Sequence, residues 1–194
     1  QAGGSGVDVA ASVYGGAVHY VVGQTPTRVA IPSGLRVHVF ACGVSARTSE
    51  LRAEVDRLAR TSPAAHRACL DDLAAVANDA ARSVDVADAA AFVVALRRTA
   101  RALARLGDAA GVGIVPAGFD ALEALASRED ASMSVSGAGG GDVAVYVGPT
   151  APSPVFLERA DALGLSSLDL SLDTKGVRIA PAAPAFAAAS PSPS

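Results

Sequence analysis

The sequence predicts an α+β fold, with one antiparallel sheet and helices on one of its faces. Three observations carry this. Apolar residues recur at helical spacing from about residue 48 to residue 126. Runs with a period of two lie on either side of that block, at 36–41 and at 132–136 and 142–147. Pro63, Gly107, Pro116, the glycines of 137–141 and Gly164 punctuate the segments. The chain of 194 residues is 51% hydrophobic but only 4% aromatic, with no Trp, so its core must be built from small side chains packed closely.

In chain order, a glycine-rich segment, Gly3-Gly4-Ser5-Gly6, runs into a short helix that Gly15-Gly16 stops. Ser5 and Asp8 have capping-box spacing. Two Val-rich runs follow, Ala17–Val22 and Arg36–Ala41, and the turn residues between them predict an antiparallel pair. A first long helix is capped by Thr48 or Ser49 and buries Leu51, Val55 and Leu58. Pro63 opens the next, with Leu70, Leu73, Val76, Ala77 and Ala80 as its stripe. A third covers Val86–Leu106, with Phe92, Val93, Leu96, Leu103 and Leu106 inward and Gly107 at its end. Pro116 opens a fourth, 117–126. Strands 132–136 and 142–147 pair as a hairpin across the glycines. A helix at 153–163 and strands at 167–172 and 176–180 complete the order, and 181–194 reads as a disordered Ala/Pro/Ser tail.

Composition excludes several classes. A net charge of −3 argues against a basic nucleic-acid surface. No run of about 18 apolar residues marks a membrane span. Two cysteines, Cys42 and Cys69, make neither a disulfide framework nor a CxxC metal site, which points to the reducing cytoplasm. His19, His38 and His66 lack metal-ligand spacing, so no metal site is expected from this chain. The chain opens at Gln1 inside a glycine-rich loop, which predicts the rear part of a longer polypeptide or a processed product.

Three segments can hold chemistry. Ser136-Gly137-Ala138-Gly139-Gly140-Gly141-Asp142 carries more glycine than a hairpin turn needs. Backbone N–H groups there can approach an anion, or the segment is a turn that only needs positive φ. It is no P-loop, since no Lys follows, and no Rossmann turn, since a strand follows. Asp8 stands at a helix N-terminus, where it caps the helix, or orients or deprotonates a hydroxyl nucleophile. Gly43-Val44-Ser45-Ala46-Arg47-Thr48 is a strand-to-helix turn able to hold an anion, or a plain cap beside a solvated Arg. Arg97, Arg98, Arg101 and Arg105 read as a solvated stripe offset by Asp71, Asp72, Asp79 and Asp85. Cys42 reads as a small buried hydrophobe.

Taken together, GSGVDVAASVYGG, FACGVSARTSELRAEV and VSGAGGGDVAVYV resemble, in that order, the C-terminal half of the GHMP-family kinases. The phosphomevalonate kinase branch is the best match, because Asp142 follows the last glycine where the mevalonate kinases carry another glycine. The resemblance covers most of residues 3–180 and implies a ferredoxin-like C-terminal domain over 36–180. Residues 1–35, a short helix and β-hairpin, would close the N-terminal domain. It implies ATP-dependent phosphoryl transfer to phosphomevalonate with Mg²⁺, Asp8 as the active-site aspartate and Ser136–Asp142 beside the ATP phosphates. Ser5, Gly6, Ser45, Arg47 and Thr48 would line the acceptor pocket. The family's Gly-Leu-Gly-Ser-Ser loop and its metal-binding Ser and Glu would lie upstream of Gln1, on a missing N-terminal segment. Ser134 stands where a Lys is common in the family. Two alternatives stay open: a GHMP kinase for another acceptor, such as mevalonate or a sugar, and a non-catalytic small-molecule-binding domain of the same fold.

Overall fold

The computed structural model describes residues 5–43 and 47–178. The described residues divide into two compact units, one of 5–28 with 173–178 and one of 29–43 with 47–172. The tail 181–194, the end of the expected strand 176–180, and Ser45 lie outside the described residues.

In the smaller unit, α1 (Val7–Tyr14) is an eight-residue helix. Its N-cap position is Gly6, with φ 81°, and no side chain caps it, so the expected capping box does not form. Gly15 ends the helix, its N–H donating to the Ala11 carbonyl at 2.8 Å. The next N–H, of Gly16, donates to the Asp173 carbonyl at 2.7 Å, and that of Val177 to Val13 at 3.2 Å, so residues 173–178 return onto the end of α1. β1 (Ala17–His19) pairs with β2 (Thr27–Val29). This corrects the expected pairing of 17–22 with 36–41. Thr27–Val29 is too short to register as a strand pattern, while the turn at Gly23-Gln24 brings it back beside β1.

The larger unit holds β3 (Arg36–Cys42), α2 (Thr48–Thr61), α3 (Pro63–Asp85), α4 (Ala89–Ala110), α5 (Phe119–Arg128), β4 (Ser132–Val135), β5 (Val143–Gly148), α6 (Pro154–Ala162) and β6 (Leu165–Leu168). The sheet order is β4-β5-β3-β6, every neighbour antiparallel. Register puts Phe40 beside Ala144, Ala144 beside Val135, and Tyr146 beside Met133. These five share one face, because side chains alternate along a strand. They form the main core with Phe119, Leu122 and Ala126 of α5 and Phe156 and Ala160 of α6. Burying a side chain such as Phe156 contributes about 2–3 kcal/mol. The opposite face keeps Val37, Val39, Ala41, Val143 and Val145 only half-buried. The mixed helix and antiparallel sheet expected from the sequence is therefore present.

Several details differ from expectation. The N-cap position of α2 is Arg47, and Thr48 and Ser49 open the helix itself. The inward stripe of α3 runs through Cys69, Leu73 and Val76, while Leu70 and Ala77 are exposed. Here α3 packs between two helices rather than on the sheet, and its neighbours select a slightly rotated face. Helix α4 starts after Asp88, whose carboxylate accepts from Ala91 N–H at 2.9 Å. It runs through Gly107 to Ala110 and ends at Gly111, which has φ 70°. Past α6 the strand is Leu165–Leu168 rather than 167–172, and 176–178 form none. Among the described residues no helix is long and apolar enough to cross a membrane.

Candidate functional site

The glycine loop is built by the strands it joins. Ser136 N–H donates to Val143 O at 2.9 Å, the last rung of the β4–β5 ladder. Across the next strand, Cys42 N–H donates to Asp142 O at 3.1 Å, so the end of β3 fixes the loop's exit. Between these rungs Gly137, Gly139, Gly140 and Gly141 all have positive φ (72°, 82°, 78° and 120°). Gly139 has no room for a side chain. A Cβ there would press on the carbonyl oxygen of Ile114 and lie 2.7 Å from its Cγ2. Gly140 N–H donates to that same carbonyl at 2.7 Å. A Cβ at Gly137, by contrast, would meet nothing within 4 Å. The loop is thus clamped on one side and open on the other. Consecutive glycine amides held in this way suit an anion.

Cys42 beside the loop is half-buried and packs against the main core, as a small hydrophobe would. Burial pushes its thiol pKa up, and the Asp142 charge adds to that. Arg47 and Thr48, at the start of α2 a few residues beyond β3, are exposed. The Arg47 guanidinium pairs with Glu50 at 3.4 Å in an open surface pair. Asp8, Ser5 and Gly6 belong to the smaller unit. Asp8 is exposed in the first turn of α1 and makes no ion pair among the described residues. Tyr20 O–H donates to the Ser5 carbonyl and holds the entry to α1.

The structure gives further groups contacts that the sequence did not reveal. Arg97 is no solvated residue: its guanidinium donates to Ala131 O at 2.7 Å and to Ser127 O at 3.4 Å, closing the end of α5. The other three arginines pair as a surface stripe does, Arg98 with Asp79, Arg105 with Asp72 at 2.9 Å and Arg101 with Glu123 at 2.8 Å. Glu129 accepts from Tyr146 O–H at 2.9 Å, from Ser153 N–H at 3.1 Å and from Ser153 O–H at 2.6 Å. Burial first, then that bond to Glu129, pushes the Tyr146 phenol pKa upward. A cavity of about 270 Å³ between α4, α5 and β4 is walled by Ala104, Val115, Phe119 and Met133 and includes Ser134. Its charged residues are Arg101, Asp120 and Glu123, two acids to one base, which does not suit a phosphate.

No protein-family model matches the chain. By sequence it is 27% identical over 166 residues to a phosphomevalonate kinase of Streptomyces sp. (strain CL190), covering 73% of this chain and 44% of that protein. In fold it resembles the phosphomevalonate kinase of Streptococcus pneumoniae in complex with phosphomevalonate and AMPPNP. There the TM-score is 0.62 at 17% identity, covering 79% of this chain and 44% of that one. It also resembles L. major mevalonate kinase in complex with R-mevalonate, with TM-score 0.63 at 16% identity, covering 84% of this chain and 48% of that one. The chain is thus similar in sequence to a phosphomevalonate kinase and in fold to phosphomevalonate and mevalonate kinases, and it spans less than half the length of these relatives.

Proposed function

We propose that this chain is the C-terminal portion of an ATP-dependent kinase of the phosphomevalonate branch, making diphosphomevalonate in isoprenoid precursor synthesis. The observation that carries the reading is the clamped, outward-open loop Ser136–Asp142, together with the sequence match to a phosphomevalonate kinase. Residues 1–35 would close an N-terminal domain and 36–180 would form a ferredoxin-like C-terminal domain, a reading supported by the strand order β4-β5-β3-β6. The free cysteines Cys42 and Cys69 fit a cytoplasmic protein.

ATP supplies the phosphoryl group. A P–O bond forms to the acceptor oxygen as the bond to the departing ADP breaks. Such transfers rest on positioning and charge stabilisation more than on covalent chemistry. The amides of Gly137, Ala138, Gly139 and Gly141 would meet phosphate oxygens, since those of Ser136 and Gly140 are already spent on protein carbonyls. Ser5, Gly6, Ser45, Arg47 and Thr48 would line the acceptor pocket, with Arg47 leaving its weak pairing to Glu50 for an anion. Asp8 would face the acceptor. A phosphate monoester is already ionised near neutral pH, its second pKa being about 6, so Asp8 would orient that acceptor rather than deprotonate it. A hydroxyl acceptor such as mevalonate would instead need a base. Among the described residues no group of three or more His, Cys, Asp or Glu could hold a metal ion, so the Mg²⁺ that the resemblance implies would be held by the Ser and Glu of the N-terminal segment.

A second reading, a binding domain without catalysis, is favoured by Ser134. Its hydroxyl donates to Val135 O at 2.8 Å, and the position carries no cation. The test is ADP release by the complete gene product with phosphomevalonate, mevalonate and a sugar panel. Turnover highest with phosphomevalonate is expected, and no ADP release with any acceptor would leave the second reading.

A further inference from the structure

We infer that Ile114 is a positioning residue for the glycine loop, and that Gly107 in α4 is the small residue that lets it act. The inference rests on the phosphate-loop reading for its catalytic consequence, though not for its geometry. Ile114 lies in the connector between α4 and α5 and is buried. Its side chain sits in a second apolar cluster with Leu58 of α2 and Leu106 and Ala110 of α4. Its carbonyl accepts from Gly140 N–H at 2.7 Å, and its Cγ2 lies against Gly139. One residue therefore joins the helical block to the loop.

The junction depends on close approach at both ends. Gly139 gives the Ile114 carbonyl room at the loop. At the helix, Val112 N–H donates to the Gly107 carbonyl at 2.9 Å, and Ile114 N–H to Val112 O at 2.9 Å, which folds the connector back onto α4. A Cβ at Gly107 would lie 2.7 Å from Val112 O and 3.3 Å from Ile114 Cβ. Real Cβ atoms essentially never come that near a backbone oxygen, so an alanine there must push the connector away. That sign is unusual, because Gly→Ala inside a helix ordinarily stabilises it. Displacing the connector carries the Ile114 carbonyl off Gly140 N–H. That amide is then free to turn toward solvent, and the spacing of its neighbours is lost. Arg57 reinforces the arrangement from α2, donating to the Ala110 carbonyl at 3.0 Å at the end of α4.

The test is Gly107→Ala in the complete gene product, read in two ways. Hydrogen exchange at the Gly140 amide is expected to speed up at least tenfold while the far-UV spectrum is retained. With phosphomevalonate and ATP, kcat is expected to fall at least tenfold and KM for ATP to rise, with KM for the acceptor within twofold. A merely structural role would not divide the constants in that way. If Gly107→Ala does not fold, Ile114→Val trims one methyl from the anchor and is expected to speed exchange at Gly140 about threefold. Unchanged exchange in the variant that folds overturns the inference. So does faster exchange with kcat and KM for ATP unchanged. If the wild-type protein phosphorylates no acceptor, the proposed function fails, and exchange at Gly140 still decides whether Ile114 anchors the loop.

Discussion

The β4–β5 hairpin has two ends built on opposite principles. At the closed end, Ser136–Asp142, the geometry comes from backbone groups and from side chains that are absent. At the open end, Glu129, Tyr146 and Ser153 form a network in which a carboxylate receives three donors. Ser153 also caps α6, accepting from Phe156 N–H at 3.2 Å. The side-chain end spends its polar groups on one another and secures the fold. The backbone end leaves amides for something else to use. Substitutions should separate the two, one set acting on turnover and the other on stability.

The largest effect is expected outside the hairpin, as a reference for what loss of a reacting-centre group does. In the complete gene product, Asp8→Ala should lower kcat by roughly a hundredfold, the order that misplacing a reacting group costs. Unchanged turnover removes Asp8 from the reaction. Next is Gly139→Ala at the closed end, where the new Cβ meets Ile114. Losing a preorganised donor outright costs about 2.7–4 kcal/mol in well-studied sites; a donor that is displaced but kept costs less, so kcat should drop by roughly thirtyfold. Gly137→Ala has the same positive φ but open space and should do less. Equal losses in both would show that conformation alone, not the Ile114 clamp, matters.

At the open end the readout changes. Glu129→Gln replaces an acceptor of three hydrogen bonds with a group that must also place two N–H donors. Unfolding free energy should fall by about 2 kcal/mol while kcat stays within twofold. A variant as stable as wild type would break the comparison at this end. The smallest effect concerns Cys42. Its thiol pKa is raised, mainly by burial and then by Asp142, so alkylation should reach half its limiting rate at a higher pH than a free thiol. Asp142→Asn should shift that midpoint modestly downward, since burial remains.

What the sequence made legible follows from what is local. The β4–β5 pairing, Pro63 at the start of α3 and the glycine loop all rest on neighbouring residues and appeared where expected. The pairing of β1 did not, because three residues at 27–29 carry too little pattern to outweigh the Val-rich run at 36–41. Gly107 reads as a helix end, and only the connector folded against it shows that the helix passes through. The loop itself was visible as composition. Its clamp was not, since Ile114 acts through a carbonyl that every residue possesses. The Glu129 network was equally hidden, because its members are separated along the chain and meet only once β5 and α6 are in place.

If Ser136–Asp142 is an anion-holding loop in a kinase active site, the protein must bind nucleotide through it. Calorimetric titration of the complete gene product with AMPPNP, alone and with phosphomevalonate present, tests it most directly. Saturable nucleotide binding is expected, weakened at least tenfold by Gly139→Ala. No binding by the wild-type protein, or equal affinity in the folded variant, would contradict it.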